Sequence, residues 1–230
     1  MDSVAKQEMS NIDKDTGFKF FFKNFHLLFF KPSLFFKDLD LLNVPLLVYI
    51  SLWLIGISNA VDRIDQKLIK TDLGTVTSSN QLLLDGISGG WIVFFLMVAG
   101  IGVFGAFFVW FIGGWFYNLR LFWSGAGDFD KVNGRLIYVF SNLVVAIPHI
   151  IVLLVSATYY QDYASAFNAE EYWSSLIIIF PFWAIYVSYK AILANFTVIK
   201  WKAIIWFVIL PVLLYMLAFG VVVWAYSNLA

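Results

Sequence analysis

Residues 86–119 contain no charged side chain, and that stretch constrains the fold more than any other part of the chain. As one helix it would run roughly 50 Å, against a bilayer hydrocarbon core of about 30 Å. It is too long for one upright span and tight for two spans plus a turn. The reading is one tilted or extended helix whose first residues lie at the membrane interface. The rest of the composition agrees. Hydrophobic residues make up 61% of the chain, aromatic residues 20% and charged residues only 13%, with a mean hydropathy of +0.82. A soluble domain carries about 25% charged residues. There is too little polar surface here to coat a globule in water, so lipid must solvate much of the outside.

Reading between charges gives an all-α, multi-pass helical bundle of about five spans, near residues 41–61, 90–117, 136–158, 172–189 and 203–226. Residues 1–17 form a polar tail of mixed charge with no signal-peptide pattern, 18–40 an amphipathic segment, and 41–230 the membrane domain. The basic residues set the orientation. Lys6, Lys14, Lys19, Lys23, Lys31 and Lys37 precede the first span. Arg120, Lys131 and Arg135 follow the second, and Lys190, Lys200 and Lys202 follow the fourth. Only Arg63, Lys67 and Lys70 fall on the other side, whose second loop carries Asp162, Glu170 and Glu171. Positive charge stays inside, which predicts a cytoplasmic N-terminus and an outer C-terminus.

In the N-terminal segment, Phe18, Phe21, Phe22, Phe25, Leu28 and Phe29 recur at three- and four-residue steps, with Lys19, Lys23 and His26 on another face. That predicts an amphipathic helix at the interface, either sensing and shaping the membrane or simply anchoring the bundle. Pro32 interrupts it. In the second span, Ala99, Gly102, Ala106 and Gly113 supply small residues for close helix packing, more naturally within the chain than between copies. The third span carries a polar stripe, Arg135, Asn142, His149 and Ser156, at seven-residue spacing. Asn142 and His149 suit a pore or proton path, though hydrogen bonds between helices account for them more simply. No carboxylate within a span is expected to partner His149.

Catalytic signals are missing from the sequence. His26 and His149 belong to different segments, cysteine is absent, and no metal-ligand, nucleophile or phosphate-loop motif occurs. The expectation is a non-enzymatic protein without metal or cofactor. Zero formal charge gives no signal for nucleic acid. The lipid bilayer is the expected partner, with another membrane protein or a second copy of the chain left open.

The order of features resembles the Yip (Ypt-interacting-protein) family of five-span membrane proteins, over roughly residues 22–225. It rests on KPSLFFKDL, with Pro32, Phe35 and Phe36; on WSGAGDFDKVNGRLIYVFSNLVVAIP, with Gly125, Gly127, Tyr138 and Pro148; and on WAIYVSYKAI near the fourth span's end. Ile137 stands where the family usually has Gly before the Tyr, and Pro148 lies further on than usual. With only about forty residues ahead of the first span, the chain looks like a short bacterial-type member, and the GTPase partnership of eukaryotic members does not transfer. The resemblance implies a role in organising membrane or binding a membrane partner, in a bacterial cytoplasmic membrane or alternatively that of the endoplasmic reticulum or Golgi. The rival reading is a small-solute or ion channel or transporter using the polar stripe.

Overall fold

The computed structural model describes residues 18–19, 21–38, 45–72, 81–169 and 177–227. The polar tail 1–17, the expected start of the first span at 41–44 and the expected start of the fourth at 172–176 lie outside them. No β-strand occurs among the described residues; the fold is an all-α multi-pass bundle. Residues 21–30 form α1, followed by α2 (Pro32–Asp38), α3 (Pro45–Asp72) and α4 (Gln81–Ser88). Then come α5 (Trp91–Trp123), α6 (Lys131–Tyr159), α7 (Tyr163–Asn168) and α8 (Ile179–Asn195). Finally Lys200–Ile204, Ile205–Ile209 and Leu210–Ser227 run on as one helix, α9.

Four helices are long and apolar enough to cross a membrane: Pro45–Ile69, Trp91–Trp123, Lys131–Tyr159 and Lys200–Val221. The chain is a membrane protein. The charge-free stretch is one long helix as expected, but it begins at Trp91, after Gly90 takes a φ of 86° that a side chain would resist. The expected fourth span is represented by the 17 residues of α8.

The first span ends later than charge alone suggests. Residues 41–61 were expected, yet α3 continues through Asp62, Arg63, Asp65 and Lys67 to Asp72. Its apolar spacing does not stop at the first charge. Ala60, Val61, Ile64 and Leu68 stay on one face and are buried with Ile87, Phe94, Val98, Leu153 and Tyr163 in one hydrophobic cluster. The earlier turns of α3, through Leu47, Val48, Leu52 and Ile55, belong to the main core instead. Between the two, Gly56 lets α3 and α5 touch backbone to backbone. A Cβ there would strike the Gly102 carbonyl oxygen and come within 2.8 Å of the Ala106 nitrogen.

The amphipathic N-terminal segment divides its aromatic face. Phe21, Leu28, Phe35 and Phe36 are buried in the main core, where Phe21 and Phe35 meet Phe140 of α6. Trp183 of α8 donates its indole N–H to the Phe29 carbonyl at 3.0 Å. Phe22, Phe30 and Leu34 stay exposed, available to lipid. Most of α9 is bare of protein: Leu213, Leu214, Leu217 and Phe219 are all exposed, a surface only hydrocarbon can solvate.

Candidate functional site

Ser58, Asp62 and Asp65 follow one another at four- and three-residue steps, so α3 presents them on one face. α6 supplies His149, which is buried, and the short α7 supplies Tyr163. Ser58 Oγ lies 2.9 Å from His149 Nδ1, and Asp62 Oδ1 lies 3.6 Å from the same nitrogen. The Tyr163 hydroxyl donates to Asp65 Oδ1. Burial and the Asp65 carboxylate push this hydroxyl far above the ordinary tyrosine range, so it remains a donor.

The Tyr163 ring stacks on Phe94 with centroids 4.0 Å apart, and Trp91 Nε1 donates to the Tyr160 carbonyl at 2.8 Å. These contacts seat the α6–α7 turn over the start of α5. Asp162 caps α7 by accepting from the Ser165 amide at 2.8 Å, and those bonds to Ser165 hold its carboxyl below the usual range.

Two corrections to the sequence reading meet here. Asp62 is not in a loop after the first span but on α3, and a carboxylate does partner His149. Both follow from α3 continuing past Val61. No Lys or Arg is ion-paired with Asp62 or Asp65 among the described residues; Arg63 turns to Gln66 at 3.0 Å instead. One donor atom from each of Asp62, Asp65 and His149 lies within 4.8 Å of the others. Two carboxylates and an imidazole at that spacing can share a proton or hold a metal cation, a capacity that the sequence reading did not foresee.

The rest of the stripe does not join His149. A straight helix drifts about 20° per seven residues, and the four side chains meet different neighbours. Arg135 lies 5.6 Å from the Trp110 ring centroid, and its buried Nε has no hydrogen-bond partner. Asn142 Nδ2 donates back to the Tyr138 carbonyl at 2.7 Å. Ser156 is half-buried near the end of α6.

The small face of α5 meets the chain's own helices. Gly102 and Ala106 abut Gly56 of α3, Gly113 faces Tyr138 of α6, and the Ala99 carbonyl accepts from Trp53 Nε1 at 3.1 Å. Of the family-like positions, Pro32 opens α2, and Phe35 and Phe36 are core. Gly125 takes a φ of 81° in the α5–α6 loop, while Gly127 faces open space. Tyr138 and Pro148 lie on α6.

Beside the cluster a crevice of about 640 Å³ runs along the seam where α3 and α5 meet. Its α3 wall is polar, with Asn59, Asp62, Arg63 and Gln66; its α5 wall is apolar, with Ile101, Phe104, Phe108 and Ile112. All eight side chains are exposed. No protein family, no curated protein and no solved structure matches the chain.

Proposed function

We propose that this is a non-enzymatic, Yip-type membrane protein that organises its bilayer by holding an amphiphile sideways in the α3–α5 crevice. The observation that carries the reading is the crevice's division into a polar and an apolar wall. Asp62 and Arg63 present opposite charges to a zwitterionic headgroup, while Ile101, Phe104 and Phe108 offer an acyl chain a greasy track. Ligand sites of this size bury most of a small ligand. The proposal includes five crossings, a cytoplasmic N-terminus, and a bacterial cytoplasmic membrane, with the endoplasmic reticulum or Golgi as the alternative.

The test is photo-crosslinking with a diacyl phosphatidylethanolamine probe in reconstituted vesicles. Labels should concentrate at Ile101, Phe104 and Phe108 and fall when Asp62 and Arg63 are both replaced by Leu. Labelling spread evenly over these and the bare face of α9 would sink the reading.

One observation favours transport as a second reading. Gly113 and Tyr138 line both this crevice and a smaller cavity beyond it, so the two spaces adjoin, with Asp62 on the first and Arg120 on the second. Liposome flux abolished by His149→Ala would favour this reading; absence of flux in the native protein would remove it.

A further inference from the structure

The smaller cavity, about 230 Å³, lies among α5, α6, α8 and α9. Among the described residues, Arg120 is the one charged side chain that lines it. Its guanidinium sits 4.2 Å from the Phe207 ring centroid and 5.8 Å from that of Tyr117, and its Nε donates to the Trp206 carbonyl at 2.9 Å. Trp206 belongs to the π-helical turn Ile205–Ile209 of α9; a second such turn, Val109–Gly113 of α5, reaches the same cavity at Gly113. Turns of this kind recur at functional sites because they break the helical ladder and re-aim backbone groups.

No carboxylate is among the described residues that line the cavity. Among the described residues no carboxylate pairs with Arg120, and its Nη groups have no hydrogen-bond partner. Arg120 stands in the last turn of α5, yet its guanidinium turns to the Phe207 and Tyr117 rings. An independent sign comes from Ser141, which is only 2% exposed, lines the same cavity, and has an Oγ without any hydrogen-bond partner. The Tyr138 and Tyr215 rings also reach it, and their hydroxyls can donate.

We propose that this cavity binds an oxyanion group, phosphate or carboxylate, with the Arg120 Nη groups supplying charge-assisted bonds and the Ser141 and Tyr138 hydroxyls completing the shell. Arg is suited to this because its planar fork meets two oxygens at once. The volume takes such a group with a few carbons, not a whole lipid. Phe116 and Tyr215, 41% and 45% exposed, stand at the rim, where acyl chains could leave. The same chemistry is offered by an anionic lipid headgroup and by a soluble anion. The proposal does not depend on what occupies the α3–α5 crevice.

The full chain is studied in nanodiscs of phosphatidylcholine with increasing phosphatidylglycerol, and separately in detergent with increasing inorganic phosphate. The melting midpoint is followed in both. A rise with phosphatidylglycerol identifies a lipid ligand, and a rise with phosphate a soluble one; either supports the site. Arg120→Gln should then weaken apparent affinity about tenfold or more, the worth of a charge-assisted bond, and Ser141→Ala by several-fold. Lys200→Gln, a change outside the cavity, should leave it unaltered. If Arg120→Gln does not fold, Ser141→Ala and Tyr138→Phe, each losing one hydroxyl, carry the test. The site is overturned if the native chain responds to neither anion, or if those two hydroxyl variants respond as the native chain does. It is also overturned if Lys200→Gln abolishes the response.

Discussion

Tyr163 spends its hydroxyl on a single carboxylate, Asp65, while its ring keeps the Phe94 stack. Tyr163→Phe therefore removes one bond to a charged group and little packing. It should cost about 1.5–3 kcal/mol, read as a lower unfolding midpoint in detergent. A midpoint equal to the native one would mean that the bond adds nothing in solution. Asp162 gives a weaker, pH-linked effect. Its folded carboxyl titrates below the usual Asp value, so its contribution is complete above about pH 3.9 and is lost as pH falls through the lower, folded value. At pH 7, Asp162→Asn should be nearly neutral, because Asn caps helices as well, whereas Asp162→Ala should free the Ser165 amide. Hydrogen exchange at that amide distinguishes the two. His149 was legible from sequence as a polar residue within a span, but its partners were not. Ser58 and Asp62 lie about ninety residues away, and a lone Asp after an apolar run reads as the edge of the membrane.

Helix packing was partly legible for a comparable reason. Gly102 and Ala106 stand on a visible small-residue face of α5, and such a face implies a partner without naming it. That partner is Gly56, whose pairing with Ala60 four residues on is a small-residue step too short to stand out beside the longer face of α5. Gly56→Ala drives a methyl into the Gly102 carbonyl, where only backbone could give way. Overpacking of this kind typically costs about 1–3 kcal/mol, more than the roughly 1 kcal/mol gained in helix propensity. Gly100, on the same stretch of α5, has nothing within 4 Å of an added Cβ. Gly100→Ala should be neutral or stabilising. Thermal unfolding followed by size exclusion should place Gly56→Ala below the native protein and Gly100→Ala at or above it; equal behaviour would mean that α3 and α5 do not meet at Gly56. The length of α3 was not legible for a related reason: charge marks where a helix leaves hydrocarbon, not where it stops being a helix. Ile64 and Leu68 are the residues that carry it on.

How many times the chain crosses the membrane decides where its C-terminus lies, and one hydrogen bond bears on this. The Ile199 amide, between α8 and α9, donates to the Ser124 carbonyl, between α5 and α6, at 2.9 Å. Both loops therefore sit at the same end of the bundle, and a Cβ on Gly125 would lie 2.9 Å from the Ile199 side chain. α6 leaves that end at Lys131 and reaches the opposite one at Tyr159. The chain must come back before Asn195, and α8 is the helix available to bring it. Its 17 residues span about 25 Å, most of the hydrocarbon core. Counting α8 with the four long helices would give the five crossings proposed above. The shared end carries Arg120, Lys131, Lys200 and Lys202; the other carries Asp62, Asp65 and Asp162 as well as Arg63 and Lys67. The orientation proposed from the bias of basic residues toward the cytoplasm puts the shared end inward. A reporter inserted after Gly127 should then be active only in the cytoplasm, and one fused after Ala230 only outside. Cytoplasmic activity from both would mean that α9 fails to cross. Outer activity from both would mean that the basic end faces outward, with α9 again failing to cross.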